Sequence, residues 1–278
     1  VHYMCRQSLI EYLSTRVEQE KLDTEISKQD IEDLIELGEL ITEYEAAALI
    51  KEQQIKSGTQ KTSEYASLLS DGIRQHASTI DMWLLDITVC DPAVGSGAFP
   101  VGMMTEIIHA REVLSAYVHN GTRNHYEFKR HCIENSLYGV DIDPGAVEIA
   151  KLRLWLSLMV DEDDIKRLKP LPNLEYKVIC GNSLLEVGVD YSLNSKDFDI
   201  LEEIKPVYFS ETNPARKQEY KKKIDELIYA ITYRNNEFDF KVYFSEVFHH
   251  KGGFDVVIGN PPYIQLQKAF DNARKYAD

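Results

Sequence analysis

Apolar positions along this chain follow two rhythms. Short runs rich in β-branched and aromatic residues, such as Leu85-Asp86-Ile87-Thr88-Val89-Cys90 and Phe254-Asp255-Val256-Val257-Ile258, alternate with longer segments whose apolar residues recur every three or four positions. Strands are predicted over 87–91, 138–141, 177–180 and 255–259, and a helix over 99–117. Alternation of this kind predicts an α/β fold, a parallel sheet with crossover helices. Upstream, Leu34, Ile35, Ile41, Tyr44 and Ala48 recur at helical spacing from Ile31, and Ser27 three residues before Asp30 is a capping signal. Lys56-Ser57-Gly58-Thr59-Gln60 breaks that helix, and 63–77 reads as another one feeding the first strand. The expected organisation is an N-terminal helical region at 1–82 and a core at 83–278 with an insertion at about 186–253.

The insertion contains a charged, helix-like stretch at 215–234 and then Phe238-Asp239-Phe240-Lys241-Val242-Tyr243-Phe244. Its alternating aromatics suit a strand or a hydrophobic clasp, and with Lys241 they also suit stacking on unpaired bases; core packing is the commoner use. His249-His250 reads as a polar loop, since no third metal ligand lies near it in sequence.

Three places carry chemistry. Asp91-Pro92-Ala93-Val94-Gly95-Ser96-Gly97-Ala98-Phe99 links a strand to a helix through a glycine turn. Glycines let the backbone turn sharply and approach a ligand, and the helix start offers unpaired N–H groups, which suits a nucleoside-containing cofactor. Pro100 stands where the dinucleotide fingerprint has its last glycine, so NAD is the weaker candidate. Next, Tyr138-Gly139-Val140-Asp141-Ile142-Asp143-Pro144 is a strand ending in carboxylates. Asp141 is placed to accept from two ribose hydroxyls, Ile142 to lie beside an adenine, and Asp143 to cap the helix opened by Pro144. Finally, Asn260-Pro261-Pro262-Tyr263 follows an apolar strand. Prolines stiffen the turn, so that the Asn oxygen and the Pro261 carbonyl can accept both hydrogens of a planar amine while Tyr263 stacks on a flipped base.

Taken together, DPAVGSGAF, YGVDIDP, CGNSLL and GGFDVVIGNPPY, in this order, resemble the gamma-class N6-adenine DNA methyltransferases, especially those fused to nucleases in type IIG restriction–modification enzymes. The likeness runs from Leu84 onward, and Val1-His2-Tyr3-Met4 looks like the continuation of an upstream cofactor motif. The resemblance implies a Rossmann-like sheet that uses S-adenosyl-L-methionine. In it Asp91, Pro92, Ala93, Gly95, Gly97 and Phe99 form the cofactor loop, Asp141 and Ile142 hold the nucleoside, and Asn182 and Ser183 lie near its adenine. Asn260, Pro261, Pro262 and Tyr263 would serve catalysis on the target base. Many relatives carry Asp where this chain has Asn182, which accepts without charge and otherwise reads as a simple turn. Relatives also have three further strands and a target-recognition domain beyond the NPPY strand, so the expectation is an incomplete sheet with an open edge. Double-stranded DNA would then be engaged through domains this chain lacks.

Charge complicates that expectation. The 278 residues include 31 basic and 46 acidic ones, a formal net charge of −15, which repels a polyanion. The one basic cluster, Arg216-Lys217 with Lys221-Lys222-Lys223, is read as a solvated helix face. Cys5, Cys90, Cys132 and Cys180 lack metal-site spacing and are expected reduced and buried. Without a leader or a membrane-length apolar run, the expected compartment is the cytoplasm. The helical N-terminal region shows no carboxylate–lysine cluster of a nuclease. An RNA or protein-glutamine methyltransferase, and a non-catalytic cofactor-binding module, remain as alternatives.

Overall fold

The computed structural model describes residues 1–20, 22–36, 69–118, 123–160, 169–184, 194–232 and 238–261. Among them, helices α1 (His2–Glu20), α2 (Lys28–Glu36), α3 (Asp71–Gln75) and α4 (Ala77–Asp86) precede strand β1 (Val89–Asp91). Then come α5 (Ala98–Leu114), α6 (His125–His131), a π-helical turn (Cys132–Ser136), β2 (Leu137–Asp141), α7 (Pro144–Met159) and β3 (Val178–Cys180). The insertion contributes α8 (Ser195–Ser210), α9 (Pro214–Ile231), α10 (Phe240–Tyr243) and α11 (Ser245–Lys251), which lead into β4 (Val256–Val257).

The four strands form one parallel sheet in the order β3-β2-β1-β4, a Rossmann-like methyltransferase arrangement. Val89 pairs with Leu137 and with Val256, and Asp141 with Cys180, so every strand delivers its carboxyl end to the same edge. Alternate residues point to opposite faces, and both faces are covered, as a parallel sheet requires. Val89, Leu137 and Val178 join a large core with Leu9, Leu13 and Leu34 of α1 and α2 and with Met103 and Ile107 of α5. Cys90, Tyr138, Val140 and Ile179 face a second core made by Phe238, Phe244 and Val247. The α8–α9 hairpin has its own cluster around Phe198, Leu201, Ile224 and Ile228.

Local signals are met in detail. Ser27 and Asp30 cap α2 reciprocally, Ser27 N–H donating to Asp30 at 2.7 Å and Asp30 N–H to the Ser27 hydroxyl at 3.2 Å. Asp143 caps α7, accepting from Gly145 N–H at 2.8 Å. The positions Ile41, Tyr44 and Ala48, the break at 56–60 and residues 63–68 of the helix expected over 63–77 lie outside the described residues; in the remainder, helix is present at Asp71–Gln75 and breaks at His76 before α4 begins.

Four expectations are corrected. The first strand begins at Val89, not at Ile87: helix α4, whose buried face includes Trp83 and Leu84, runs on to Asp86 and is ended by Ile87. Within the aromatic run at 238–244, Phe240–Tyr243 forms a helical turn rather than a strand, because Asp239 caps it by accepting from Lys241 and Val242 N–H groups. Its rings do form the clasp: Phe238 lies 4.8 Å from Phe240, and Phe244 lies 5.0 Å from Tyr138. His249 and His250 sit on the last turn of α11, not in a loop. Cys180 is exposed at the end of β3, whereas Cys5, Cys90 and Cys132 are buried. Burial pushes the Cys5 thiol up to about 11 and the Cys132 thiol up to about 12, so neither is a thiolate near neutrality.

Lys217, Lys221 and Lys222 are paired with Glu175, Asp225 and Glu226. Three of the five basic residues on α9 thus have acidic partners, in keeping with a solvated helix face. No described helix is long and apolar enough to cross a membrane.

Gly139, mid-strand in β2, has Val94 against it: an added Cβ would stand 2.7 Å from Val94 Cγ2 and 3.0 Å from its Cβ. Gly139→Ala is therefore expected to cost about 1–3 kcal/mol through overpacking. Urea unfolding of the purified variant checks this, and an unchanged midpoint contradicts it.

Candidate functional site

The carboxyl edge of the sheet gathers most of the residues singled out from the sequence. After Asp91 the chain turns through Pro92-Ala93-Val94 and is fastened to β2 by two bonds. Val94 N–H donates to the Val140 carbonyl at 2.9 Å, and Gly95 N–H to Asp141 Oδ2 at 2.7 Å. Gly95 and Gly97 have φ of 50° and 80°, the left-handed region that side chains avoid. A Cβ on Gly97 would also stand 3.2 Å from the Ala150 Cα, so this glycine lets the loop lie against α7. Phe99, on the first turn of α5, is buried in the large core.

Asp141 takes the Asp143 N–H on its other oxygen at 3.0 Å. An ionised carboxylate has about four acceptor positions, so two bonds leave it capacity for ribose hydroxyls. Ile142, 71% exposed, offers apolar surface beside it. The Gly181 N–H donates to the Asp141 carbonyl at 2.9 Å and brings Asn182 and Ser183 to the same edge. Asn182 Oδ1 accepts from Leu184 N–H at 3.0 Å, so the turn and the acceptor role expected for this residue share one atom.

On the other side of the loop, β4 pairs with β1 through Val256 N–H to the Thr88 carbonyl and Ile258 N–H to the Cys90 carbonyl. That pairing sets Gly259 against Asp91, where an added Cβ would lie 2.8 Å from Asp91 Oδ1. Asn260 and Pro261 follow directly and are exposed. Pro262 and Tyr263 lie outside the described residues. The glycine loop and the start of the NPPY turn thus adjoin through one glycine.

Asp91 is buried, 1% exposed, and accepts the Ala93 N–H at 3.0 Å. Burial, with Asp141 nearby, raises its carboxyl to about 6 against the Ala93 bond that lowers it. Asp91 and Asp141 end neighbouring strands at one edge, an arrangement that suits a ligand bringing hydroxyls and a positive charge. The amino group, sulfonium and ribose of S-adenosylmethionine match that donor set.

Sequence reasoning missed the supports. Val94, Ala150 and Gly259 carry no chemistry, and only their closeness in space marks them. Asp255 accepts from Thr88 N–H and from its hydroxyl, each at 2.8 Å, and pairs with Lys251 at 2.9 Å, locking the entry of β4 onto β1. A cavity of about 690 Å³ lies elsewhere, lined by Thr88, Tyr138, Lys177, Glu202 and Lys205 among others, at the amino ends of the strands. It is remote from this constellation.

Comparison with known proteins meets this geometry at residues 135–278, which match the Eco57I restriction-modification methylase family. The chain belongs to that family. A protein of Methanocaldococcus jannaschii named "Putative type II restriction enzyme and methyltransferase" is 47% identical to this family member over 103 residues. That stretch is 36% of this chain and 9% of the length of the relative. No solved structure matches the chain significantly.

Because Asp91 is held above its ordinary value of 3.8, the fold loses stability as pH rises from about 4 to about 6 and the group is forced to ionise. Asp91→Asn keeps an acceptor for Ala93 and removes that loss. It is expected to raise unfolding free energy at pH 8 by roughly 2–3 kcal/mol, at about 1.4 kcal/mol per pH unit, and to change it little below about pH 4. Denaturation at the two pH values checks this, and an equal effect at both contradicts it.

Proposed function

We propose that this chain is the methyl-transfer core of a restriction–modification enzyme that moves a methyl group from S-adenosyl-L-methionine to the N6 amino group of adenine in DNA. The observation that carries the reading is the adjacency of two half-sites: the Asp141-anchored glycine loop and Asn260, joined by Gly259 packed on Asp91. Family membership supports the methyltransferase part, and the N-P-P-Y sequence at 260–263 supports an amino acceptor.

The bound cofactor supplies a methyl carbon made electrophilic by its sulfonium sulfur. Asp141 would orient it through the ribose, with Ile142, Asn182 and Ser183 around the adenine. Asp91, Pro92, Ala93, Gly95, Gly97 and Phe99 shape the loop. An exocyclic amine is a poor nucleophile because its lone pair is delocalised into the ring. Asn260 Oδ1 and the Pro261 carbonyl, accepting its two hydrogens, would localise that pair on nitrogen, with Pro262 stiffening the turn and Tyr263 stacking the flipped base. The nitrogen–carbon bond forms as the carbon–sulfur bond breaks, and the surplus amine proton leaves to solvent, with no covalent enzyme intermediate. Catalysis on this account is chiefly orientation and electrostatics.

With a net charge of −15 and a paired basic helix, most phosphate contacts would come from polypeptide beyond these residues. Transfer of tritiated methyl groups is therefore best measured with the longest polypeptide that carries this sequence, against DNA, RNA and a glutamine-bearing protein. Label in DNA, recovered as N6-methyladenine, is expected. Asn260→Ala should lower turnover by about 10²–10³-fold while cofactor affinity stays within a few-fold. Label confined to RNA or protein overturns the assignment of substrate.

A further inference from the structure

Glu202 of α8 and the adjacent His249 and His250 of α11 bring three ligand atoms within 4.8 Å of one another. His249 Nδ1 stands 3.2 Å from Glu202 Oε1, and His250 Nε2 stands 3.1 Å from Glu202 Oε2. Around a four-coordinate ion with bonds of about 2.0–2.1 Å, neighbouring donors lie roughly 3.3 Å apart, close to these separations. The two imidazoles are stacked at 5.3 Å and 29°, so both rings lie side by side toward one carboxylate.

An ion pair alone leaves this arrangement poorly explained. Glu202 Oε1 is buried from water, yet it takes no well-aligned hydrogen bond. A buried carboxylate oxygen left in that state is costly, and a cation in line with its lone pair would satisfy it. The histidine side chains are 49% and 68% exposed, so an ion has an open path to the three donors. Glu202 and His250 also line the 690 Å³ cavity, which leaves room for water or another small donor to complete the coordination.

We infer that Glu202, His249 and His250 form a binding site for a divalent transition-metal ion, with zinc the best match. Two imidazoles and a carboxylate are borderline donors that favour zinc, nickel or copper over magnesium or calcium. The ion ties α8, the first helix of the insertion, to α11. Gly252 ends α11, and Lys251 and Asp255 then fasten the chain, at the start of β4, to Asp86 and Thr88 just before β1. The metal thus fixes the insertion to the strand that delivers Asn260. It takes no part in methyl transfer, and it stands whether or not the proposed substrate is right.

The test uses the whole chain, stripped with a chelator and titrated with zinc in competition with a chromophoric indicator. One ion per chain is expected. Glu202→Gln, His249→Ala and His250→Ala should each weaken binding by about tenfold or more, taking outer-shell losses of 10–100-fold as a lower guide. Cys180→Ser should leave it unchanged, which separates this site from the exposed thiol. Zinc-edge X-ray absorption should show imidazole nitrogens at about 2.0–2.1 Å, and zinc should raise the thermal midpoint of wild type but not of the double histidine variant. Circular dichroism confirms that each variant is folded. Failure of the folded wild type to take up zinc, uptake that survives the three substitutions, or uptake that follows Cys180 overturns the inference.

Discussion

Gly95 N–H donates to Asp141, and one residue earlier Val94 N–H donates to Val140, so the loop after the first strand is laid down on the tip of the second. Everything else at this edge follows from that fastening. With the loop held, Gly97 meets Ala150 and sets the start of α5 beside α7, while Asp91 turns toward β4 and meets Gly259. Three strands from distant parts of the sequence thus share one constraint. Bulk at either glycine contact, or at Gly139 beneath Val94, acts on the whole edge rather than on one residue.

The same constraint carries a cost. A buried Asp91 near Asp141 opposes its own ionisation, and a fold selected for stability alone would have no use for the pair. On the proposed reading, the two carboxylates would serve a partner with hydroxyls and positive charge. The insertion plays the complementary part on the other face of the sheet, where its aromatic clasp covers Tyr138, Val140 and Ile179. That cover lets a parallel sheet be buried on both sides.

The sheet and the loops at its carboxyl edge were legible in the sequence because they use local rules. Runs of β-branched residues marked the strands to within a residue or two. Asp143 before Pro144 and Ser27 before Asp30 marked helix starts that the structure shows bonded as expected. Less legible were features that depend on distance in space. The histidines read as a loop because Glu202 lies 47 residues upstream of His249. Ile87 and Thr88 read as strand because composition hides where helix α4 gives way to β1. The exposure of Cys180 was hidden for a similar reason: it lies at the strand end, where the second core runs out. The candidate site residues stand out as motifs in the sequence, but the contacts of Val94, Ala150 and Gly259 emerged only from the packing.

Calorimetric titration of S-adenosylmethionine into the folded chain, beside Asp141→Ala, tests the central claim most directly. The account predicts saturable binding of one cofactor by the wild-type chain, weakened at least tenfold by the substitution, since a charged acceptor of ribose hydroxyls contributes about 1.5–3 kcal/mol. A folded wild-type chain that binds no cofactor, or an Asp141→Ala chain that binds it as tightly as wild type, would contradict the reading of this edge as a cofactor site.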